Sequence, residues 1–528
     1  MNTDNSILTN TIHQLFLNAN ITPQKFFRRP ELTLEDRSNI AVQAFSSQQN
    51  NTWGMVSQIA KDYQISRTFV YDLLNLLKHG MEQLFAPEQR SDTDIRSKVE
   101  ERILSSRFEG RSSIAAISTM LERDSLPYSS LGYISEYLTH VGKSLPNTVS
   151  NHGPEVVQIA FSSDEIFSKL HPILITVDPK STAILSIELC KQRTAKQWKS
   201  HFQGVCKQGF YPKVVSSDEG TGLCAARAEI FSDVPWQLDT FHGIAHRLGE
   251  WKNRLEKQAY KAIQVANHAE DLLTSAKSDS VVDKRLSCSL VADVNAGQTI
   301  DIYDDFCYLY HYLVHQLNIF NANGDLRQRD NVKQNMEVAL ELMASLQHED
   351  INKEVGHIRN KLSDLLTYFD AATEAVEQCQ KLEVKDDALK ALCLAWQWSK
   401  AVIKSKKTAR RHRAIQQRDL HLELAALLIN NEQRYLEIQP AVFNELDEIV
   451  QASSIVECIN SILRPYLNTS KNQVTQEFLN TFIFYHNHRR YRAGKRKGKT
   501  PMEMLTGQEQ KEDWIALLRK ECRKNQET

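Results

Sequence analysis

The 528-residue chain has no uninterrupted run of about 18 apolar residues, which excludes an ordinary membrane-spanning helix. Its nine cysteines are scattered without a CxxC pair, so a zinc site built from cysteine pairs is excluded and reduced thiols are expected. Met1–Gln14 lacks a basic segment leading into an apolar one, so no secretory signal is read there and a cytoplasmic location is expected. Neither GxxxxGK[ST] nor GxGxxG occurs, which removes the common phosphate-loop enzymes. The net charge is −1, so only the local distribution of charge can point to a polyanionic partner. Proline is missing where it says most. None of the 13 prolines lies between Pro235 and Pro440, and only five glycines (243, 249, 297, 324 and 356) fall there. Proline costs about 3 kcal/mol in a helix interior, so this window reads as an all-α block. Within it, Met336–Leu346 and Ile358–Leu382 carry apolar residues at i, i+3, i+4 and i+7.

Upstream the texture changes. Val156–Phe161, Ile173–Val177, Ala183–Leu189, Lys213–Val215 and Trp236–Leu238 are short apolar runs separated by turn residues, with Asp178-Pro179-Lys180-Ser181 between the second and third. A helix fits Thr194–Cys206. Three strands, a helix, a strand, a helix and a strand predict a mixed sheet in one α/β domain. The chain as a whole is expected to be multidomain and mainly α.

Near the N-terminus, Val56–Leu77 has the pattern of a helix-turn-helix. Ile59, Ala60 and Tyr63 face inward, Ile65 fills the turn, Ser66 is the N-cap, and Val70 and Leu73 anchor the second helix. That cap puts Arg67, Thr68, Tyr71 and Asn75 on the exposed face, where they can meet base edges or phosphates. The turn position often held by glycine is Gln64. A plain helical hairpin is the alternative. Ser112–Leu121 and Ser129–Leu138 form a second, looser helix pair that fits either description.

Three acids stand out by position. Asp164 follows the first strand, Asp218 follows the fourth, and Glu457 lies in a helix, Ser454–Asn460. If the two strands are neighbours, Asp164 and Asp218 emerge side by side, with Gly220 and Gly222 turning the chain into the next helix. Taken singly, each Asp could merely cap a turn. Converging carboxylates repel and need cations, and oxygen ligands suit Mg²⁺.

The charge distribution adds two basic islands. Lys400–Arg413 carries seven cations and no acid, including Lys406, Lys407, Arg410 and Arg411; Arg489–Lys499 carries seven more, including Arg489, Arg490, Lys497 and Lys499. Such unmixed runs suit a polyanion, against the alternative of a solvated helix face. Trp396 and Trp398 read as core packing, and His311, His315 and His357 as structural histidines.

Together these residues resemble a known family, the DDE transposases of bacterial insertion sequences. The resemblance rests on Ser163–Phe167, Arg193–Trp198, Val215–Gly220, Asp239-Thr240-Phe241-His242, Val456–Arg464, Tyr485–Arg490 and Gly498–Leu505, in that order. It covers about 155 to 250 and 450 to 506. It implies a ribonuclease-H-like core in which Asp164, Asp218 and Glu457 are catalytic and hold two Mg²⁺ ions, with Mn²⁺ able to substitute. Asp239 and His242 would support them, with Phe241 packed and His242 approaching the acids. Asp178 is a rival first acid, set in a hairpin turn. Asp218 and Glu457 are 239 residues apart, so the helical block would be an insertion.

The domains expected are a helix-turn-helix DNA-binding domain at 1–90 and a second helical, possible helix-turn-helix domain at 91–150. The catalytic core would begin at 151–250, be interrupted by the all-helical insertion at 251–445, and finish at 446–528. The function implied is binding of terminal inverted repeats, metal-dependent strand cleavage and strand transfer. Double-stranded DNA, both element ends and target, would be the partner, in a homodimer or larger synaptic complex at the nucleoid and away from any membrane. A transposase-derived DNA-binding regulator and a structure-specific nuclease of the same fold are the alternatives.

Overall fold

A computed structural model of the chain describes residues 29–85, 92–151, 153–346 and 348–527. The N-terminal stretch Met1–Gln14 and residues 86–90 of the expected first domain lie outside the described residues. The chain divides into two compact units, Met1–Glu100 and Glu101–Thr528.

In the first unit, α1 (Leu34–Gln49), α2 (Met55–Asp62) and α3 (Arg67–Phe85) close on one small core. A capping box starts α1: the Thr33 hydroxyl accepts from the Asp36 N–H at 3.1 Å, and the Asp36 carboxylate accepts from the Thr33 N–H at 2.9 Å. Tyr63–Ser66 forms the turn between α2 and α3. Gln64 holds φ at +50°, the left-handed region where glycine costs least. The Ile65 N–H closes back on the Ala60 carbonyl at 2.8 Å and its side chain is buried. Ser66 Oγ then accepts from the Phe69 N–H at 3.1 Å, as the sequence predicts. Ile59, Ala60, Val70 and Leu73 are buried, while Arg67, Thr68, Tyr71 and Asn75 are exposed.

Helix α4 (Asp92–Leu104) runs from the last residues of the first unit into the second, where a π-helical turn at Ser105–Glu109 is followed by α5 (Ile114–Arg123) and α6 (Leu131–Lys143). These two are the looser helix pair of the sequence. The face of α6 is spoken for within this unit, because Asn480 Nδ2 donates to the carbonyls of Gly142 at 3.0 Å and Leu145 at 2.9 Å.

The sheet follows as β1 (Val157–Ser168), β2 (His171–Val177), β3 (Ile184–Leu189), α7 (Ala195–Lys207), β4 (Phe210–Ser217), α8 (Thr221–Ile230) and β5 (Trp236–Leu238). Its spatial order is β3-β2-β1-β4-β5, with β1, β2 and β3 antiparallel in turn and β1, β4 and β5 parallel. This is the mixed sheet that the run of strands and helices predicts. Strand alternation divides its apolar side chains between two layers. Ile173, Ile175 and Val177 of β2 face one core, and Leu174 joins Phe161, Trp198, Phe202 and Leu223 in the other.

After β5, a π-helical turn at Phe241–His246 leads into the helical block. Its helices are α9 (Arg247–Thr274), α10 (Asp279–Gln316), α11 (Arg329–Ala344), α12 (Glu349–Leu365), α13 (Tyr368–Gln380), α14 (Asp386–Lys404), α15 (Thr408–Ile429) and α16 (Glu432–Leu446). The chain then returns to the sheet with α17 (Ser454–Thr469), α18 (Gln476–His488), α19 (Pro501–Thr506) and α20 (Trp514–Glu527). The block is helical as its lack of proline predicts, and helix continues through Pro440 in α16. The single periodic stretch Ile358–Leu382 is two helices, broken between Leu365 and Tyr368. Buried Gln237 of β5 occupies the break: its Nε2 donates to the Leu365 carbonyl at 3.0 Å and its Oε1 accepts from the Tyr368 N–H at 2.6 Å. A side chain 128 residues away thus satisfies backbone groups that the break sets free.

Candidate functional site

The sequence places Asp164 after the first strand. In the structure β1 runs on to Ser168, and Asp164 lies inside it opposite Ile175 of β2. The reason is that β1 has two partners of unequal reach. Its parallel ladder with β4 ends at Ser163 and Ser217, whereas its antiparallel ladder with β2 continues to Ser168. Asp164 therefore sits where β4 stops, and Asp218 is the first residue beyond β4. The two acids therefore stand side by side just past the end of the parallel β1–β4 ladder, where the carboxyl end of β4 opens the edge at which α/β sheets leave a crevice.

Backbone donors hold both acids. Asp164 Oδ1 accepts from the Glu165 N–H at 2.8 Å, and Asp218 Oδ1 accepts from the Gly220 N–H at 2.9 Å. Gly222 does not turn the chain, as its sequence position suggests. It lies in α8, where a Cβ would fall 2.1 Å from the Arg193 carbonyl oxygen, so only glycine lets these backbones approach.

A second acidic group stands on the loop after β5. Asp239 is buried and its acceptor positions are filled. Oδ1 takes the N–H groups of Phe241 at 2.7 Å and His242 at 3.0 Å, and Oδ2 takes the N–H of Ser453 at 2.8 Å and its hydroxyl at 2.6 Å. This carboxylate shapes the π-helical turn and pins it to the start of α17. His242 then lies with Nδ1 3.4 Å from Asp239 and Nε2 3.2 Å from Glu457 Oε1. Asp239, His242 and Glu457 each offer one ligand atom, and the three atoms lie within 4.8 Å of one another. Phe241, expected to pack, is 50% exposed, with its ring against His242 and His246.

Helix α17 connects the two groups. Glu457 and Asn460 are one turn apart and share a face. Glu457 meets His242, and Asn460 Nδ2 donates to Asp164 Oδ2 at 2.8 Å. Asn460 is absent from the sequence-based site residues, although i+3 spacing from Glu457 is a signal that would have found it. Burial pushes the Asp164 carboxyl up to about 7; the charge of Asp218 adds to this, and Glu165 and Glu457 contribute, against the Glu165 N–H hydrogen bond. Two oxygens beside these acids, Asn460 Oδ1 and Glu165 Oε2, are buried without a hydrogen-bond partner among the described residues. Crowded carboxylates with oxygen acceptors left open fit a hard divalent cation. Asp239, whose lone pairs are already taken, fits a bracing role instead.

Asp178 belongs elsewhere: in the β2–β3 turn its Oδ2 accepts from the Ser181 N–H at 2.8 Å. His311 Nδ1 lies 2.7 Å from the Cys307 carbonyl oxygen, and Trp396 is buried with Nε1 donating to Asp447 at 3.1 Å. His357 does not stand alone. Its Nε2 is 2.8 and 2.7 Å from the two carboxylate oxygens of Glu219, the residue after Asp218.

The basic islands separate into two kinds. Lys406, Lys407, Arg410 and Arg411 are exposed and form no ion pair among the described residues. In the second island Lys497 and Lys499 are exposed, but Arg490 is used inside the fold. It donates to both oxygens of buried Glu503 at 2.8 and 3.0 Å and to the Gly498 carbonyl at 2.7 Å. Arg489 lies over the rings of Tyr485 at 5.6 Å and Tyr491 at 5.7 Å. The structure thus gives Arg490, read from sequence as a DNA contact, a structural partner.

No helix among the described residues is long and apolar enough to cross a membrane. No family model matches the chain, and no curated protein matches it. Among solved structures it is similar to one described as the Drosophila P element transposase strand transfer complex, at 12% identity, covering 86% of this chain and 99% of that one with a TM-score of 0.23. A likeness that loose carries no argument about what this chain does.

Proposed function

We propose that the protein is a DNA transposase whose acidic site cleaves and rejoins phosphodiesters with the help of divalent metal. The observation that carries this reading is the placement of Asp164 and Asp218 side by side where the parallel β1–β4 ladder ends, with Asn460 of α17 bonded to Asp164 and the charge of Glu457 felt there. The mixed sheet, interrupted after β5 by a helical block and completed by α17, is the arrangement a ribonuclease-H-like core with an insertion would have. Asp164, Asp218 and Glu457 would hold two Mg²⁺ ions. Bound there, the metal would supply Lewis acidity and neutralise charge developing at the phosphate. Asn460 fixes the orientation of Asp164, Asp239 shapes the loop, and His242 orients Glu457.

The exposed cations Lys406, Lys407, Arg410 and Arg411 supply contacts for a phosphate backbone, and the α2–α3 pair offers Arg67, Thr68, Tyr71 and Asn75 to a DNA groove. Reading of terminal inverted repeats, strand transfer to a target and assembly on paired ends belong to the same proposal.

The test is cleavage of DNA carrying the flanking ends of the protein's own gene, with Mg²⁺, with EDTA and with Asp164→Ala, Asp218→Ala and Glu457→Ala. The expected result is metal-dependent nicks at the element end that each substitution reduces by at least about 10³-fold while end binding persists. Cleavage surviving any one substitution would remove that residue from the site. Tight binding with no cleavage in Mg²⁺ or Mn²⁺ would make the protein a DNA-binding regulator.

A further inference from the structure

Helix α12 lies in the block between Asp218 and Glu457 and carries none of the three acids, yet one of its faces bears on the residues either side of Asp218. His357, Lys361 and Leu365 are spaced i, i+4 and i+8 and so line one stripe. A carboxylate can only accept, so His357 Nε2 is the donor in its 2.8 and 2.7 Å contacts with Glu219. Glu219 is also held by Arg247 Nη2 at 3.2 Å, and Arg247 Nη1 returns to Glu354 of α12 at 2.9 Å. One turn on, the Lys361 ammonium lies 5.4 Å from the centre of the Trp236 ring, whose N–H donates to Ser217 Oγ at 3.0 Å. Ser217 and Glu219 flank Asp218. At the third position the Leu365 carbonyl accepts from Gln237, and its side chain is packed so closely on the π-helical turn that a Cβ at Gly243 would fall 2.6 Å from Leu365 Cδ2.

We infer that α12 is a positioning element of the acidic site and that His357 is the positioning residue that sets the Asp218–Gly220 loop through Glu219. The inference rests on the metal-site reading above. Burial does not require this grip, because the apolar contact between block and sheet is already made by Trp236 and Leu365 in one core. His357 keeps 38% of its side chain exposed and contributes an oriented donor more than apolar area. The helical block therefore bears on the Asp218 loop without supplying a ligand.

Mn²⁺ binding to the purified full-length protein, followed by the loss of the free-ion paramagnetic resonance signal, tests this without a cleavage readout. His357→Ala is expected to weaken Mn²⁺ binding by about tenfold, as loss of a group behind a metal ligand commonly does. His357→Gln, which can still present an N–H to Glu219, is expected to stay within about threefold of the unaltered protein. Circular dichroism and the metal-free unfolding midpoint should be nearly unchanged in both. His357→Ala binding Mn²⁺ as tightly as the unaltered protein would overturn the inference and leave the metal site standing. Equal weakening in both variants, or an unfolded His357→Ala, would make the histidine merely structural and overturn it as well. An unaltered protein that binds no Mn²⁺, or an Asp218→Asn variant that binds it equally well, would remove the metal-site reading and this inference with it.

Discussion

Two groups of carboxylates stand at the same end of the sheet and are held in opposite ways. Asp239 is buried and accepts four hydrogen bonds, so its charge is satisfied by the fold. Asp164 is largely buried, shares its space with Asp218 and feels Glu165 and Glu457, so its charge is opposed by the fold. The difference separates an acid whose charge the fold satisfies from one whose charge it opposes. The basic islands repeat the lesson with the sign reversed. Arg490 is paired with buried Glu503, whereas Lys406 and Lys407 project into solvent.

Substitution should break this contrast most strongly at Asp239. Asp239→Ala leaves buried N–H groups of the loop and of Ser453 without an acceptor, and we expect a loss of about 3–5 kcal/mol in urea unfolding. Asp164→Asn should do the reverse. The folded Asp164 carboxyl is pushed up to about 7 from an ordinary value of 3.8, so the folded state binds the proton more tightly than the unfolded chain. Metal-free stability should therefore fall as pH rises from about 4 to 7, with the full penalty present above pH 7. We expect Asp164→Asn to add on the order of 1–2 kcal/mol at pH 8 in EDTA, little at pH 4, and nothing once Mn²⁺ is bound to the unaltered protein. A destabilised Asp164→Asn would place Asp164 with Asp239 among the scaffold acids.

The basic islands sharpen the same distinction. Arg490→Ala should cost about 2–3 kcal/mol of stability, because Glu503 is left buried, while the salt dependence of DNA binding stays the same. Lys406→Ala and Lys407→Ala should each leave the unfolding midpoint unchanged, weaken duplex binding modestly and lower the salt slope by roughly one. A reversed pattern in these two measurements would exchange the roles of the islands.

Much of the scaffold was legible from local features. The five strand runs, the helix between the third and fourth, the Ser66 cap and the proline-free helical block all follow from periodicity and backbone chemistry acting within a few residues. Asp164 and Asp218 could be singled out because neighbouring strand ends bring such residues together. The extension of β1 to Ser168 was not legible, since it depends on β2 reaching further than β4. Nor was the break before Tyr368, because apolar periodicity continues across it and Gln237 decides it from another element.

The sequence by itself determined the element types, the three acids that stand out and the presence of two concentrated positive segments, since each is a property of neighbouring residues. Tertiary structure alone decided which charges are satisfied. Asp239 became a brace through Ser453, Arg490 became internal through Glu503, and His357 was joined to Glu219 across 138 residues of chain. Hydrogen bonds and ion pairs act over a few ångströms whatever the separation in sequence. The partner of a polar group is therefore settled only when the chain has folded back upon itself.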